Sequence, residues 1–332
     1  MNPVPASAAV QGEPHAPFDV TALIVNYNTR DLLRPCIDAL RASAVGLRLQ
    51  IVIIDNASRD DSAALMRAEF SDCELLFNSV NVGFGRANNQ ALALARGRLI
   101  LLLNTDAFVA PDTLGRTVRY MDEHPPVGLL GVRLVGRDGL RQPSCRYFPT
   151  PWNAFLVRTG LDRWFPGTRL VDDLAWDHAS SRACDWVPGC YYLVRRSVID
   201  QVVLFDPRYF LYYEEVDHCH AVKAAGWQVM YYADTTVVHI GGESAKSEAQ
   251  ITTGGRQISD LQVESGLLYH RKHHGLAGLW AVVVFGVIGD ALLSAKCLLR
   301  RDGPGAARAY WDNTATTWAL LRKTRSGTQA TR

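Results

Sequence analysis

Short apolar runs alternate with amphipathic stretches through the first half of the chain. Residues 20–25 form an apolar run that ends in polar Asn26, Tyr27 and Asn28. Residues 31–41 then place Leu32, Leu33, Cys36, Ile37 and Leu40 at helical spacing. A β-branched run over residues 50–54 ends at Asp55 and Asn56, and Ser58 or Asp60 suits the N-cap of a following helix. Residues 74–77 predict a third strand, 88–95 a helix and 99–103 a fourth strand, which ends at Asn104, Thr105 and Asp106. Continuous apolar strands between helices predict an α/β fold with a mainly parallel central sheet flanked by helices. Polar residues recur just past the strand ends, at the edge where open α/β sheets bind ligands.

The second half is less regular. Residues 143–185 are rich in aromatics, Pro and Arg with weak periodicity, which predicts a long loop with short elements suited to shaping a pocket. Regular structure is expected to resume at 186–194, with a helix at 213–225, a strand at 227–232 and a helix at 259–270 that ends near Gly275. Residues 276–299 are almost wholly apolar but carry Asp290 and Lys296. Three readings suit this stretch: a buried helix or helical pair, a helix lying in or on a bilayer, or a membrane span, which Asp290 disfavours. Arg300, Arg301, Arg308, Arg322, Lys323 and Arg325 follow it.

Composition changes this picture little. The 332 residues are 48% hydrophobic and 20% charged, enough for a sizeable core. The net charge of +2 gives no argument for nucleic-acid binding. Seven scattered cysteines include no C-x-x-C pair, so a reduced, cytosol-facing chain is expected. The Ala- and Pro-rich residues 1–17 lack the basic start and apolar run of a signal peptide and read as a loose tail.

Four groups carry candidate chemistry. Asp106, just past a buried strand, suits a hard divalent cation held with diphosphate oxygens, and equally suits a turn cap before Pro111. Glu214, Glu215 and Asp217 are either a solvated helix start or, after an aromatic run, a partly buried cluster able to supply a general base. His239 gains meaning only if it converges with Asp106. The loop from Asn81 to Asn88, with Gly83, Gly85 and Arg86, can meet phosphate at a helix start. It also partly mimics a dinucleotide fingerprint, which leaves a nicotinamide-dependent oxidoreductase as a rival reading. The basic residues 269–274 suit a phosphate of donor or lipid, or a solvated helix end.

In combination, the segments VNYNTRDLLRPCIDAL, VIIDNASRDDS, NVGFGRANNQAL, LLLNTDAFV, WVPGCYYLVRR, FDPRYFLYYEEVDHC and AAGWQVMYYADTTVVHIGG resemble glycosyltransferase family 2, and within it the bacterial rhamnosyltransferase-like branch. The resemblance implies a GT-A fold, the nucleotide-diphospho-sugar transferase fold, over residues 18–275. Residues 18–110 would hold the nucleotide sugar and 111–275 the acceptor, with 276–332 a membrane-associated helical extension. It implies donor contacts at Asn26, Asn28, Asp55, Asn56, Asn81, Arg86, Asn88 and Asn104. It puts a Mg2+ or Mn2+ on Asp106 and His239, the base at Glu215 with Glu214 and Asp217 as alternatives, and acceptor contacts at Trp186, Gly189 and Glu214. The implied reaction is inverting transfer of a sugar, L-rhamnose from dTDP-L-rhamnose or a hexose from a UDP donor, to a glycan or lipid-linked acceptor. The expected location is the cytoplasm, at the inner face of the cytoplasmic membrane. Two departures stand out: Asn104 replaces the first acid of the Asp-x-Asp metal motif, and Glu215 stands where many relatives have Asp. Asn104 also motivates a second rival, a non-catalytic glycan-binding protein on the same fold.

Overall fold

A computed structural model of the protein describes residues 16–173, 176–241, 256–300 and 304–332. Most of the expected tail, together with Gly242 and Arg301, lies outside the described residues. The chain runs β1 (Phe18–Asn26), α1 (Arg30–Ser43), β2 (Leu49–Asp55), α2 (Ser62–Glu69), β3 (Glu74–Phe77), α3 (Phe84–Leu92), β4 (Gly97–Leu103), β5 (Ala107–Val109), α4 (Thr113–Glu123), β6 (Val127–Val135) and β7 (Arg141–Gln142). It continues through α5 (Pro151–Thr159), β8 (Arg182–Ala183), β9 (Tyr191–Arg195), α6 (Arg196–Gln201), α7 (Glu214–Ala224), β10 (Gln228–His239), α8 (Arg256–Arg300) and α9 (Pro304–Lys323).

One mixed sheet has the order β3-β2-β1-β4-β9-β6-β10-β5. The first four strands are parallel, as is β6 beside β10, while β9 enters antiparallel between β4 and β6. Two apolar cores cover its faces. Leu33, Ile37 and Leu40 of α1 pack with Leu114 and Val118 of α4 on Ala22 and Ile24. Ala87 and Ala91 of α3 and Val216 and Val222 of α7 pack with Leu23 and Val52 on the other face. Alternate residues of β1 thus serve opposite cores, and each fully buried Leu or Ile contributes roughly 2 kcal/mol.

A buried polar clamp fixes the register of the parallel strands. Thr21 Oγ1 donates to Gln50 Oε1 at 2.6 Å and accepts from the Gly97 amide at 2.8 Å, which ties β1, β2 and β4 at their N-terminal side. At the other side Asn26 then lies opposite Asp55. A slip of one residue would exchange the residues that serve the two cores.

Within 186–194, where regular structure is expected, β9 begins at Tyr191. Helix α3 starts at Phe84, four residues before the periodicity suggests, so the glycine loop forms its first turn. The apolar C-terminal stretch is helical, and α8 breaks at Gly275, whose φ of 66° is a left-handed value that favours glycine.

Helix α8 is latched to α7. Lys272 Nζ and His273 Nε2 contact Asp217 at 2.8 and 2.6 Å, and Lys272 also reaches Asp206. Two of the basic residues at 269–274 are therefore spent inside the protein.

Burial pushes His218 and His270 down to about 3, against an ordinary 6.5, so both are neutral in the folded protein. Between those values the unfolded chain binds protons that the folded chain refuses, so stability falls as pH drops below 6.5. Each histidine adds a slope of up to about 1.4 kcal/mol per pH unit. His270→Asn should flatten the unfolding free energy against pH by one proton in urea titrations. Parallel curves for variant and parent would refute the neutral buried ring.

Candidate active site

The strand order changes direction between β1 and β4, and the chain's polar strand ends gather there. Asn26 is fully buried and donates to Asp55 Oδ1 at 2.9 Å and to Ser58 Oγ at 3.0 Å. Asn28, at φ 53°, accepts from the Arg59 amide and donates its own amide to Ser58 Oγ. Asn56 donates to Asn81 Oδ1 at 2.8 Å, and Asn81 accepts from the Gly83 amide. Asn88 donates to the Phe84 carbonyl within α3. These side chains form one cross-braced rim above β1 and β2, with part of their hydrogen-bonding capacity used to hold it.

The glycine loop serves packing. A Cβ on Gly83 would lie 2.4 Å from the Phe210 carbonyl oxygen, and one on Gly85 would meet Phe205 and Glu214. Arg86 donates to the carbonyls of Pro207 and Arg332, both at 2.8 Å. The segment after α9 returns here, with Thr331 donating twice to the Glu264 carboxylate. The Arg86 guanidinium therefore joins the 205–213 segment to the C-terminal residues.

Past β4, the chain turns through Asn104 and Asp106 into β5. Antiparallel pairing of β5 with β10 sets His239 opposite Ala107, which brings its Nε2 to 3.6 Å from Asp106 Oδ1, beyond hydrogen-bond reach. The other ring nitrogen, Nδ1, lies 2.9 Å from Gln142 Oε1, and Gln142 Nε2 donates back to the His239 carbonyl at 2.8 Å. Gln142 Oε1 thus accepts from Nδ1–H, which leaves the Nε2 lone pair on the side of Asp106. Burial holds the ring below its ordinary value although Asp106 works to raise it. Asn104 Oδ1 is buried with no partner. A buried carboxylate, a neutral imidazole held from behind and an unpaired amide oxygen fit a divalent cation whose remaining ligands come from a diphosphate. Among the described residues no group of three His, Cys, Asp or Glu side chains converges.

A second cluster lies at the start of α7. Tyr212 and Tyr213 both have φ near 70°, a strained value for two successive aromatic residues, and the turn they make starts α7. Glu214 and Glu215 follow, and each has one buried carboxylate oxygen without a partner. Burial, then the charge of Glu215, pushes Glu214 well above the ordinary carboxylate value. Burial raises Glu215 too, while Arg146 favours its ionised form. Asp217 differs. Burial works to raise it, but hydrogen bonds from His273 and Lys272 outweigh this and its carboxyl sits below the ordinary value. The buried Cys190 thiol is pushed up by burial and then by both Asp106 and Glu215, so the two clusters share one neighbourhood.

Arg146 is held by Asp172 at 2.5 and 3.1 Å and lies over the Trp186 ring at 4.4 Å. Trp186 is itself buried and donates to the Tyr147 carbonyl. Gly189 faces the Phe84 ring. Gln142 and Arg146 escaped the sequence reading, because they lie at or inside the aperiodic stretch and acquire meaning only from what they contact.

Residues 21–172 match the sequence model of glycosyl transferase family 2. An N-acetylglucosaminyl-diphospho-decaprenol L-rhamnosyltransferase of Mycobacterium tuberculosis is 27% identical over 209 residues, 58% of this chain and 66% of that protein's length. Rhamnosyltransferase WbbL of Escherichia coli is 25% identical over 242 residues, 69% of this chain and 86% of the relative. A solved mannosyltransferase, PcManGT from Pyrobaculum calidifontis in complex with GDP-Man and Mn2+, shares the fold with a TM-score of 0.55 and 18% identity, over 94% of this chain and 87% of that one. The matched segment, residues 21–172, carries β1 to β4 with the polar strand ends above them, and that segment is similar to the transferases of glycosyl transferase family 2.

Proposed function

We propose that this protein is an inverting, divalent-cation-dependent glycosyltransferase that moves L-rhamnose from dTDP-L-rhamnose to a hydroxyl of a lipid-linked glycan, in cell-surface polysaccharide synthesis at the inner face of the cytoplasmic membrane. The observation that carries this reading is a pair of polar clusters near Cys190: Asp106 beside His239 with the unpaired Asn104 oxygen, and Glu214 with Glu215, each with an unpaired oxygen. The activities of the mycobacterial and E. coli relatives support rhamnose, and the first of them supports a lipid diphosphate acceptor. The rim of Asn26, Asn28, Asp55, Asn56, Asn81 and Asn88 suits the nucleotide. Asp106 and His239 would hold Mg2+ or Mn2+, which supplies charge neutralisation at a departing diphosphate.

The two glutamates divide the acid–base work. Buried like charges cannot both ionise cheaply, so the pair holds one proton to higher pH than an ordinary carboxylate does. Glu214, the more strongly raised, retains it. Glu215, facing Arg146, is ionised and accepts the proton of the acceptor hydroxyl. The acceptor oxygen then bonds to the anomeric carbon as the bond from that carbon to the diphosphate oxygen breaks. A single displacement inverts the configuration. Trp186 and Arg146 position the Glu215 side of the site.

Glu215→Gln should lower kcat by on the order of 10²–10⁴ while donor affinity by calorimetry stays within about twofold. Near-normal turnover would remove Glu215 as base. Because the base must be ionised and its proton affinity is raised, kcat/KM should fall as pH drops through a value above the ordinary carboxylate range. A profile flat down to that ordinary range would contradict the buried pair.

Gln142→Ala frees the His239 ring to rotate and change tautomer. Mn2+ affinity, titrated calorimetrically in the presence of dTDP, should weaken roughly 10–100-fold. Unchanged affinity would take His239 out of the cation site. A panel of dTDP- and UDP-linked sugars, with and without Mn2+, tests the donor: turnover with UDP-hexose alone would replace rhamnose in this reading.

A further inference from the structure

The second half of α8 has its polarity reversed. On a soluble surface helix the apolar stripe faces the core and the charges face water. Here Asp290 and Ser294 are buried, while Leu276, Trp280, Val284, Ile288 and Leu292 form an outward stripe at every fourth position, each 41–49% exposed. Only 22% of the residues in the most apolar stretch of this helix are buried. Asp290 is neutralised from inside. It pairs with Arg158 of α5 and accepts from Thr314 Oγ1 of α9 at 2.9 Å.

The apolar surface continues onto neighbouring elements. Trp152 of α5 contacts Phe285 at 5.8 Å and Phe165 at 5.2 Å, and Trp164 beside Phe165 is widely exposed. On the other flank Trp280 meets Trp318 of α9 at 6.0 Å, and Trp311, two turns back on the same face of α9, is exposed. Single exposed apolar residues are ordinary; a continuous aromatic and aliphatic face is an interaction surface.

Residues 276–300 make roughly 37 Å of helix, enough to cross a bilayer. The packing opposes a crossing. Phe285 and Asp290, near the middle of that length, lie against Phe155 and Arg158 of α5. A span would draw α5 and the adjoining catalytic domain into hydrocarbon. Helix α9, which runs beside α8, carries exposed Arg308 and Asp312. Exposed Lys296, Arg300 and Arg308 stand at one end of the hairpin, and Arg322 and Lys323 at the other. Two copies meeting through this face would press these like charges together, whereas anionic headgroups would match them.

We propose that the face formed by α5, the outward stripe of α8 and the tryptophans of α9 lies flat in the headgroup region of an anionic bilayer, without crossing it. This deepens the lipid-linked acceptor reading and rests on it: a flat-lying anchor holds the site at the surface where such an acceptor's diphosphate emerges. Aromatic rings settle at that depth and the bracketing cations reach phosphate, as in interfacial helices.

The test is flotation of the full chain with vesicles of phosphatidylglycerol and phosphatidylethanolamine, beside vesicles of phosphatidylcholine alone. The protein should float with the anionic vesicles, and the combined Trp280→Gln, Val284→Gln and Ile288→Gln variant should lose affinity by roughly tenfold or more. None of these three side chains belongs to the buried core of the helical hairpin, so the variant should keep its thermal midpoint and its transfer to a water-soluble acceptor. That second readout separates loss of docking from failure of the glycosyltransferase reading. Tryptophan quenching by brominated lipids should be strongest with bromines near the headgroups. Equal flotation of parent and variant, no flotation of either, strongest quenching from bromines at the bilayer centre, or a parent dimer in light scattering that the variant abolishes would each overturn the proposal.

Discussion

The register of β1 between β2 and β4 is the constraint on which the rest depends. Thr21, Gln50 and the Gly97 amide form a buried clamp at one end of these strands. A buried hydroxyl and amide left unpaired would each cost about 1–3 kcal/mol, so any other register is penalised at once. The apolar alternation of β1 penalises it again, since Ala22 and Ile24 serve one core and Leu23 the other. With the register fixed, Asn26 meets Asp55 and the strand ends form one polar rim. The rim is a consequence of the clamp at the opposite end of the same strands.

The two chemical clusters are built on that frame by different means. Strand pairing makes the first: β5 turns back against β10, and His239 is carried to Asp106 from more than a hundred residues away. Backbone strain and burial make the second. Tyr212 and Tyr213 hold left-handed conformations, and two acids follow in a site that disfavours their charge. Such an arrangement needs compensation nearby, and the latch of Lys272 and His273 on Asp217 supplies it one helical turn along. Asp217 is therefore a structural anion, while its neighbours keep free oxygens. Residues adjacent in sequence acquire opposite roles because α7 turns them toward different surroundings.

Several features were legible in the sequence for stated reasons. The first four strands follow from continuous apolar runs, and the polar residues at their ends follow from chain order alone. The order of segments from VNYNTR to VVHIGG pointed to the family. Asp106 and His239 were a conditional pair that needed convergence, and Asn104 was visibly a missing acid. The basic run at 269–274 misled, because a list of cations does not say which already have carboxylate partners. The same holds for Arg86, whose donors are spent on carbonyls of the 205–213 segment and the C-terminal residues.

What the sequence by itself determined was the set of elements and the chemistry each could offer: apolar periodicity is local, and so is a carboxylate's position past a strand. What only the tertiary structure decided was pairing and facing. Gln142 behind His239, Arg146 opposite Glu215 and Arg158 neutralising Asp290 are contacts between distant residues, and no periodicity encodes them. The segment 276–299 shows the division plainly. Its composition allowed core, surface or span, because hydropathy counts residues without direction. The fold turned Asp290 inward and Trp280 outward, and that choice of face, set by packing against α5 and α9, is a tertiary fact.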